Sequence, residues 1–233
     1  MHTMLQPAFI LHRRHYRETS LLLELFTRDE GRITAVARGV RRPCVRLKAS
    51  FELFTPLFVS WYGRGDLVTI KQMEINGAVL SLSSAHLLSG LYLNELLIRL
   101  LHKSDPYPTL YDYYENCLND LCSDSLVSFH LRRFEKRLLS ELGYGILPKS
   151  EAARLSFLPE QYYRFIPGQG FQKANHSFTE RSIFLGKNLL AFAEEEWQFD
   201  EDLKAAKRLL HLMLVHLLGS RKIQSIEWFG SST

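Results

Sequence analysis

Cysteine is scarce in this chain. Its 233 residues hold three, Cys44, Cys117 and Cys122. An odd number with no C-x-x-C spacing excludes a disulfide framework and argues against a structural zinc site. The same count, with an N-terminal MHTMLQPAFI that lacks a charged segment followed by an apolar core, predicts a reducing, cytoplasmic setting. No apolar run suits a bilayer. The most apolar stretch, residues 87–101, is short and carries Asn94, Glu95 and Arg99. A phosphate-cradling loop is also missing, because Gly63-Arg64-Gly65 has no third glycine, following helix or lysine. His211 and His216 are five apart and so do not share a helix face. His130, beside Arg132 and Arg133, has no nucleophile or carboxylate at a readable spacing. Glu194-Glu195-Glu196 lacks partner histidines and reads as a solvated helix terminus. These gaps predict no covalent chemistry: not an enzyme, no cofactor, no metal.

Acid is missing from one stretch altogether. Between Glu30 and Glu52 runs GRITAVARGVRRPCVRLKASF, with Arg32, Arg38, Arg41, Arg42, Arg46 and Lys48. Its first part alternates like a half-buried strand, Ile33, Ala35 and Ala37 against Arg32, Thr34 and Arg38, with Val36 out of phase. Gly39 and Pro43 then give turn chemistry, and the basic spacing becomes irregular. A strand running out into a basic loop suits a polyanion backbone, whose contacts need charge and reach more than fixed geometry. The competing reading is a solvated surface loop. Residues 1–80 carry 12 Lys/Arg against 7 Asp/Glu, and residues 81–233 carry 17 against 18. The basic excess therefore lies wholly in the N-terminal third.

Residues 8–80 read as five short strands, at 8–15, 20–26, 32–38, 54–62 and 67–75. Turn residues Asp29–Gly31 and Gly63–Asp66 separate two of the pairs. Pro56 suggests an edge or bulge. In the fifth strand Val68, Ile70 and Gln72 fall on one side, and Thr69, Lys71 and Met73 on the other. Five strands without a crossover helix favour a small closed barrel of the OB kind over a parallel sheet. The fold class is α+β multidomain: an OB-fold β-barrel domain, residues 1–80, followed by an α-helical bundle domain, residues 81–233. Helical spacing predicts helices from Ser83 to about 101, over 109–122, from a cap at Asp124 or Ser125 to 142, over 179–195, and over 201–218, where Gly219 stops the last. An irregular insert at 143–178 contains a candidate hairpin at 162–166 and 170–173.

Two basic sets are candidate binding surfaces. The first is Arg13, Arg14, Arg17, Arg32, Arg38, Arg41, Arg42, Arg46 and Lys48, as DNA contacts. Phe9, Tyr16 and Phe51 lie nearby as stacking surfaces for bases, against the reading that Phe9 and Phe51 are barrel core. The second is one face of the third helix, Arg132, Arg133, Lys136 and Arg137, which could grip an acidic peptide end with an aromatic anchor. Ordinary pairing, such as Arg132 with Glu135, competes with that. A different class of function also stands: an interaction scaffold whose barrel binds a protein rather than DNA.

The chain FILHRRHYRETSLLLELFTRDEGRITAVARGVRR resembles the N-terminal signature of the RecO family of bacterial recombinational repair proteins. Phe54-Thr55-Pro56-Leu57, Gly63-Arg64-Gly65, SGLYLNELL at 89–97, LRRFE at 131–135, LGYG at 142–145 and LLGSRKIQS at 217–225 continue the likeness along the chain. The resemblance implies a non-catalytic mediator with an OB-fold barrel and a helical domain. It would bind single- and double-stranded DNA, anneal complementary strands and help load RecA onto DNA coated with single-strand-binding protein. Implied partners are RecR, RecA indirectly, and the acidic C-terminal tail of single-strand-binding protein; no membrane is implied. Some members hold a four-cysteine zinc module where this chain has residues 143–178, which contain no cysteine, so zinc does not carry over. The basic tail motif of the family has also lost Arg or Lys at two places in residues 219–227.

Overall fold

The computed structural model describes residues 4–40, 51–123, 126–145, 157–175, 180–197, 199–219 and 223. Backbone packing divides the chain into two compact units, Met1–Ser125 with Ile223–Thr233, and Leu126–Lys222.

In the first unit, β1 (Gln6–Tyr16), β2 (Ser20–Thr27), β3 (Gly31–Ala37), β4 (Leu57–Tyr62) and β5 (Val68–Ile75) close into a barrel in the order β1-β2-β3-β5-β4. Only the β3–β5 pairing is parallel. Ile10, Leu23, Leu25, Ile33, Leu57, Val59, Trp61 and Met73 are among the side chains that fill the interior. Each such side chain contributes about 1.5–3 kcal/mol when fully buried. Strand β2 reads SLLLELFT, apolar nearly throughout, because both of its faces are covered. Leu23 and Leu25 point into the barrel. Phe26, on the outer face with Phe9 of β1, meets Tyr111 and Tyr114 at ring-centroid distances of 5.3–6.0 Å.

Those tyrosines belong to α2 (Pro108–Cys122), which follows α1 (Ser84–Leu100). Ser83 caps α1 by accepting from the His86 amide, and Pro108 opens α2, where its missing N–H costs nothing. Two glycines are fixed by contact. Gly31 has φ +66°, and a Cβ there would stand 1.8 Å from the Asp105 carbonyl oxygen. A Cβ on Gly90 would stand 2.8 Å from the Phe54 ring, so its absence lets α1 lie on that ring. Burial beneath this layer pushes the Tyr111 and Tyr114 phenols well up.

Three sequence expectations change here. The fourth strand starts at Leu57, so Pro56 precedes it. The β4–β5 register shifts between Ser60 and Trp61, leaving Lys71 as the extra residue; Met73 then faces the core and Gln72 faces out. Strand β3 is buried on both sides except at Arg32, so it does not alternate.

In the second unit, α3 (Val127–Glu141) precedes a three-stranded sheet, β7-β6-β8, of β6 (Tyr162–Ile166), β7 (Gly170–Ala174) and β8 (Ile183–Leu185). Two helices follow, α4 (Gly186–Glu194) and α5 (Asp200–Leu218). The α3 N-cap is Leu126 in a left-handed conformation with no side-chain cap; Asp124 and Ser125 lie outside the described residues. The expected helix over 179–195 is shorter, because Ile183–Leu185 pairs with β6 as a strand and α4 begins only at Gly186. The hairpin at 162–174 forms as read, around Phe157, Tyr163, Phe165 and Phe171.

Candidate nucleic-acid interface

The strand registers bring several segments to one end of the barrel. Tyr16 lies opposite Ser20, Leu21 opposite Ala37, Val36 opposite Thr69, and Thr69 opposite Tyr62. The β1–β2 turn, the exit of β3 and the β4–β5 turn therefore crown the same end. Arg13, Arg14, Arg17 and Arg38 are exposed there, and so is Arg64, which the sequence reading left out. The segment with Arg41, Arg42, Arg46 and Lys48 leaves the described chain two residues past Arg38 and rejoins it at Phe51; those four lie outside the described residues. Arg13 marks the return. It donates to the Phe51 carbonyl at 2.6 Å and pairs with Glu52 at 2.8 Å. Arg38 reaches Thr69 Oγ1 at 3.5 Å. Arg17, at φ 52°, lies over the Tyr16 ring at 5.3 Å. Among the described residues no carboxylate pairs with Arg14, Arg17, Arg38 or Arg64. The other end of the barrel is different: its β2–β3 turn carries Asp29 and Glu30, and Arg28 there is held by Asp112 at 3.0 Å.

Arg32 stands apart from the crown. Its side chain is 14% exposed and pairs with Glu24 at 2.9 Å. It also donates to the Leu101 carbonyl, while Thr34 donates to the other Glu24 oxygen. Its charge is directed to fixing β3 against β2 and the end of α1. Of the aromatic candidates, Phe9 is buried against α2, Phe51 belongs to the barrel core and Tyr16 is half-buried. The outer face around Phe9, Leu11 and Phe26, away from the crown, is covered by the chain's own α1 and α2.

The basic face of α3 splits in two. Arg132 is buried and pairs at 2.5 Å with Glu135, which is wholly buried. Arg133, Lys136 and Arg137 converge on Glu195, at 3.3, 3.1 and 2.8 Å. Glu195 caps α4 in a left-handed conformation, φ 61°, and its side chain is 14% exposed. Glu194 and Glu196 are exposed, as a solvated terminus requires, whereas Glu195 is engaged by the α3 cations. Lys136 also donates to the Phe192 and Ala193 carbonyls at 2.8 and 2.9 Å, satisfying the C-terminal end of α4. Burial lowers the Lys136 pKa, and Glu195 opposes that shift. Three cations face this one carboxylate. Beside them stand Phe129, Phe192 and Trp197, with ring centroids 5.2 and 6.2 Å apart along the chain of contacts. The Trp197 indole N–H is buried with no acceptor among the described residues.

No helix among the described residues is long and apolar enough to cross a membrane. A closed five-stranded barrel of OB order with a cationic crown, followed by a helical region, is the architecture of an OB-fold protein. The model described as recombination protein O N terminal matches residues 1–78, and that described as recombination protein O C terminal matches residues 84–225; the chain belongs to this family. It is 47% identical over 224 residues to a protein named DNA repair protein RecO from Coxiella burnetii, covering 96% of each chain. It is 40% identical over 230 residues to the protein of that name from Glaesserella parasuis, covering 97% of this chain and 95% of the relative. From Actinobacillus pleuropneumoniae, the protein so named is 39% identical over 226 residues, covering 96% and 93%. The family's role is in recombinational DNA repair.

Proposed function

We propose that the chain is a non-catalytic DNA-binding mediator of the cytoplasm that binds single- and double-stranded DNA at the crown of its barrel. It anneals complementary strands and helps RecA replace single-strand-binding protein, with RecR as a partner. The observation that carries this reading is the crown itself: Arg14, Arg17, Arg38 and Arg64 with no paired carboxylate among the described residues, flanking a segment rich in arginine and free of acid. Cations whose charge is not spent inside the protein release counterions from phosphates on binding, which gives affinity without sequence preference. The test is a salt titration of oligonucleotide binding. The wild type should give a steep log–log slope. Arg41→Glu/Arg42→Glu should weaken binding by at least tenfold and reduce the slope by about 1.4–1.8, at about 0.7–0.9 per phosphate contact. Unchanged binding at low salt would reject the assignment.

The α3–α4 cluster supports the second half of the reading. Arg133, Lys136 and Arg137 outnumber Glu195 and the nearby Glu194, next to an aromatic group whose indole donor has no acceptor among the described residues. An acidic C-terminal tail with an apolar end, such as that of single-strand-binding protein, fits that chemistry. Arg133→Ala/Arg137→Ala should abolish capture of such a peptide in a fluorescence anisotropy assay, and equal affinity would refute the placement.

A further inference from the structure

The crown holds an aromatic side chain that the sequence reading passed over. Tyr62 is the last residue of β4, is 37% exposed, and lies opposite Thr69 in the β4–β5 pairing. Thr69 is the residue that Arg38 reaches at 3.5 Å, so the Arg38 guanidinium is placed beside the same strand pair. Arg64 follows Tyr62 by two residues, in the turn, and is also exposed. The exposed Leu67 closes that turn. The other aromatic residues near the basic set are unsuitable: Phe9 and Phe51 are buried, and Tyr16 is half-buried beneath Arg17.

We propose that Tyr62 is a stacking platform for a base of single-stranded DNA, with Arg38 and Arg64 taking the adjoining phosphates. The inference rests on the DNA-binding reading above and adds the feature that distinguishes a single strand from a duplex. A base offers its face to an aromatic ring only when it is out of the helix, whereas phosphates are presented by both forms. Stacking is tolerant of sequence because every base has a π-face. It releases no counterions, so its loss leaves the salt dependence untouched. The position suits the task, since the β1–β2 and β4–β5 loops of OB barrels flank the path of a bound strand.

The test uses the full chain and measures binding of a thymidine oligonucleotide and of a duplex of equal length across a salt series. Tyr62→Ala should weaken single-strand binding by about 5- to 150-fold, leave duplex binding within twofold, and leave both salt slopes unchanged. Tyr62→Phe should bind as the wild type does. Arg38→Glu/Arg64→Glu should weaken both substrates and flatten both slopes. An oligonucleotide carrying 5-iododeoxyuridine should photocrosslink to Tyr62 in the unaltered protein, located by mass spectrometry of the peptide. Unchanged single-strand affinity in Tyr62→Ala, equal loss on both substrates, or crosslinks that all fall elsewhere overturn the stacking role. Failure of the wild type to bind either nucleic acid overturns the DNA-binding reading itself.

Discussion

The side-chain amide of Asn94 donates to the carbonyl of Leu11 at 2.9 Å, and its oxygen accepts from the Tyr114 hydroxyl at 2.5 Å. Leu11 lies where the β1–β2 register shifts between Ile10 and His12, so its carbonyl has left the ladder. One buried side chain on α1 thus satisfies a backbone group that the barrel cannot, and ties it to α2. Asn94→Leu removes the donor to Leu11 and the acceptor of Tyr114 together. It should cost about 2–4 kcal/mol, read as a lower urea midpoint with little change in slope. A loss under about 0.5 kcal/mol would show that the bulge is satisfied some other way.

Glu195 is expected to be costly to neutralise. Glu195→Gln leaves Arg133, Lys136 and Arg137 close together without their shared carboxylate. The cluster is partly exposed, so solvent screens the repulsion, and the cost should be about 1–3 kcal/mol. The same variant should bind an acidic peptide more tightly than the wild type, because the incoming carboxylate no longer competes with an internal one. Thermal melts and anisotropy read the two effects separately.

His211 gives a dependence on pH. Its pKa is pushed below the ordinary 6.5 by burial first, and then by Arg132, Arg181 and Lys207. The folded chain therefore binds this proton less readily than the unfolded chain does. Between the lowered value and 6.5 the unfolded state holds more protons, so stability rises with pH across that window and falls on acidification through it. His211→Gln should flatten the stability profile below pH 6.5. An unaltered profile would assign the slope to other groups.

Gly31 should tolerate no side chain. Gly31→Ala places a methyl group in collision with the Asp105 carbonyl, at a φ that L residues rarely adopt. Loss of more than 3 kcal/mol, or failure to recover folded protein, is expected, whereas Gly39→Ala meets no neighbour within 4 Å among the described residues and should suffer chiefly from its φ of +71°. Parallel melts of the two variants check the contrast.

Much of the fold is legible in the sequence because its signals are local. Asp29–Gly31 and Gly63–Asp66 announce turns, and the period changes from two to helical at Ser83, where α1 is capped. The misreadings arise where a distant segment decides. Ile183–Leu185 is too short to show a strand period and becomes one only because β6 offers it an edge. The face of Met73 depends on a one-residue shift against β4. Of the candidate sites, the basic crown is half visible: charge density is written along the chain, but whether a cation is already engaged is not. Arg32 and Arg38 look alike in sequence, yet only Arg32 has Glu24 on the neighbouring strand. Glu195 meets cations some sixty positions earlier, a relation no spacing rule reveals.

The tyrosine layer of α2 has a practical corollary for dissecting this molecule. A fragment ending near residue 80 would bare Phe9 and Phe26, both wholly shielded in the intact chain, and so present a greasy sheet surface to its neighbours in solution. Such a piece should clump in gel filtration. One cut after Cys122 keeps that layer beneath α2 and should clump less.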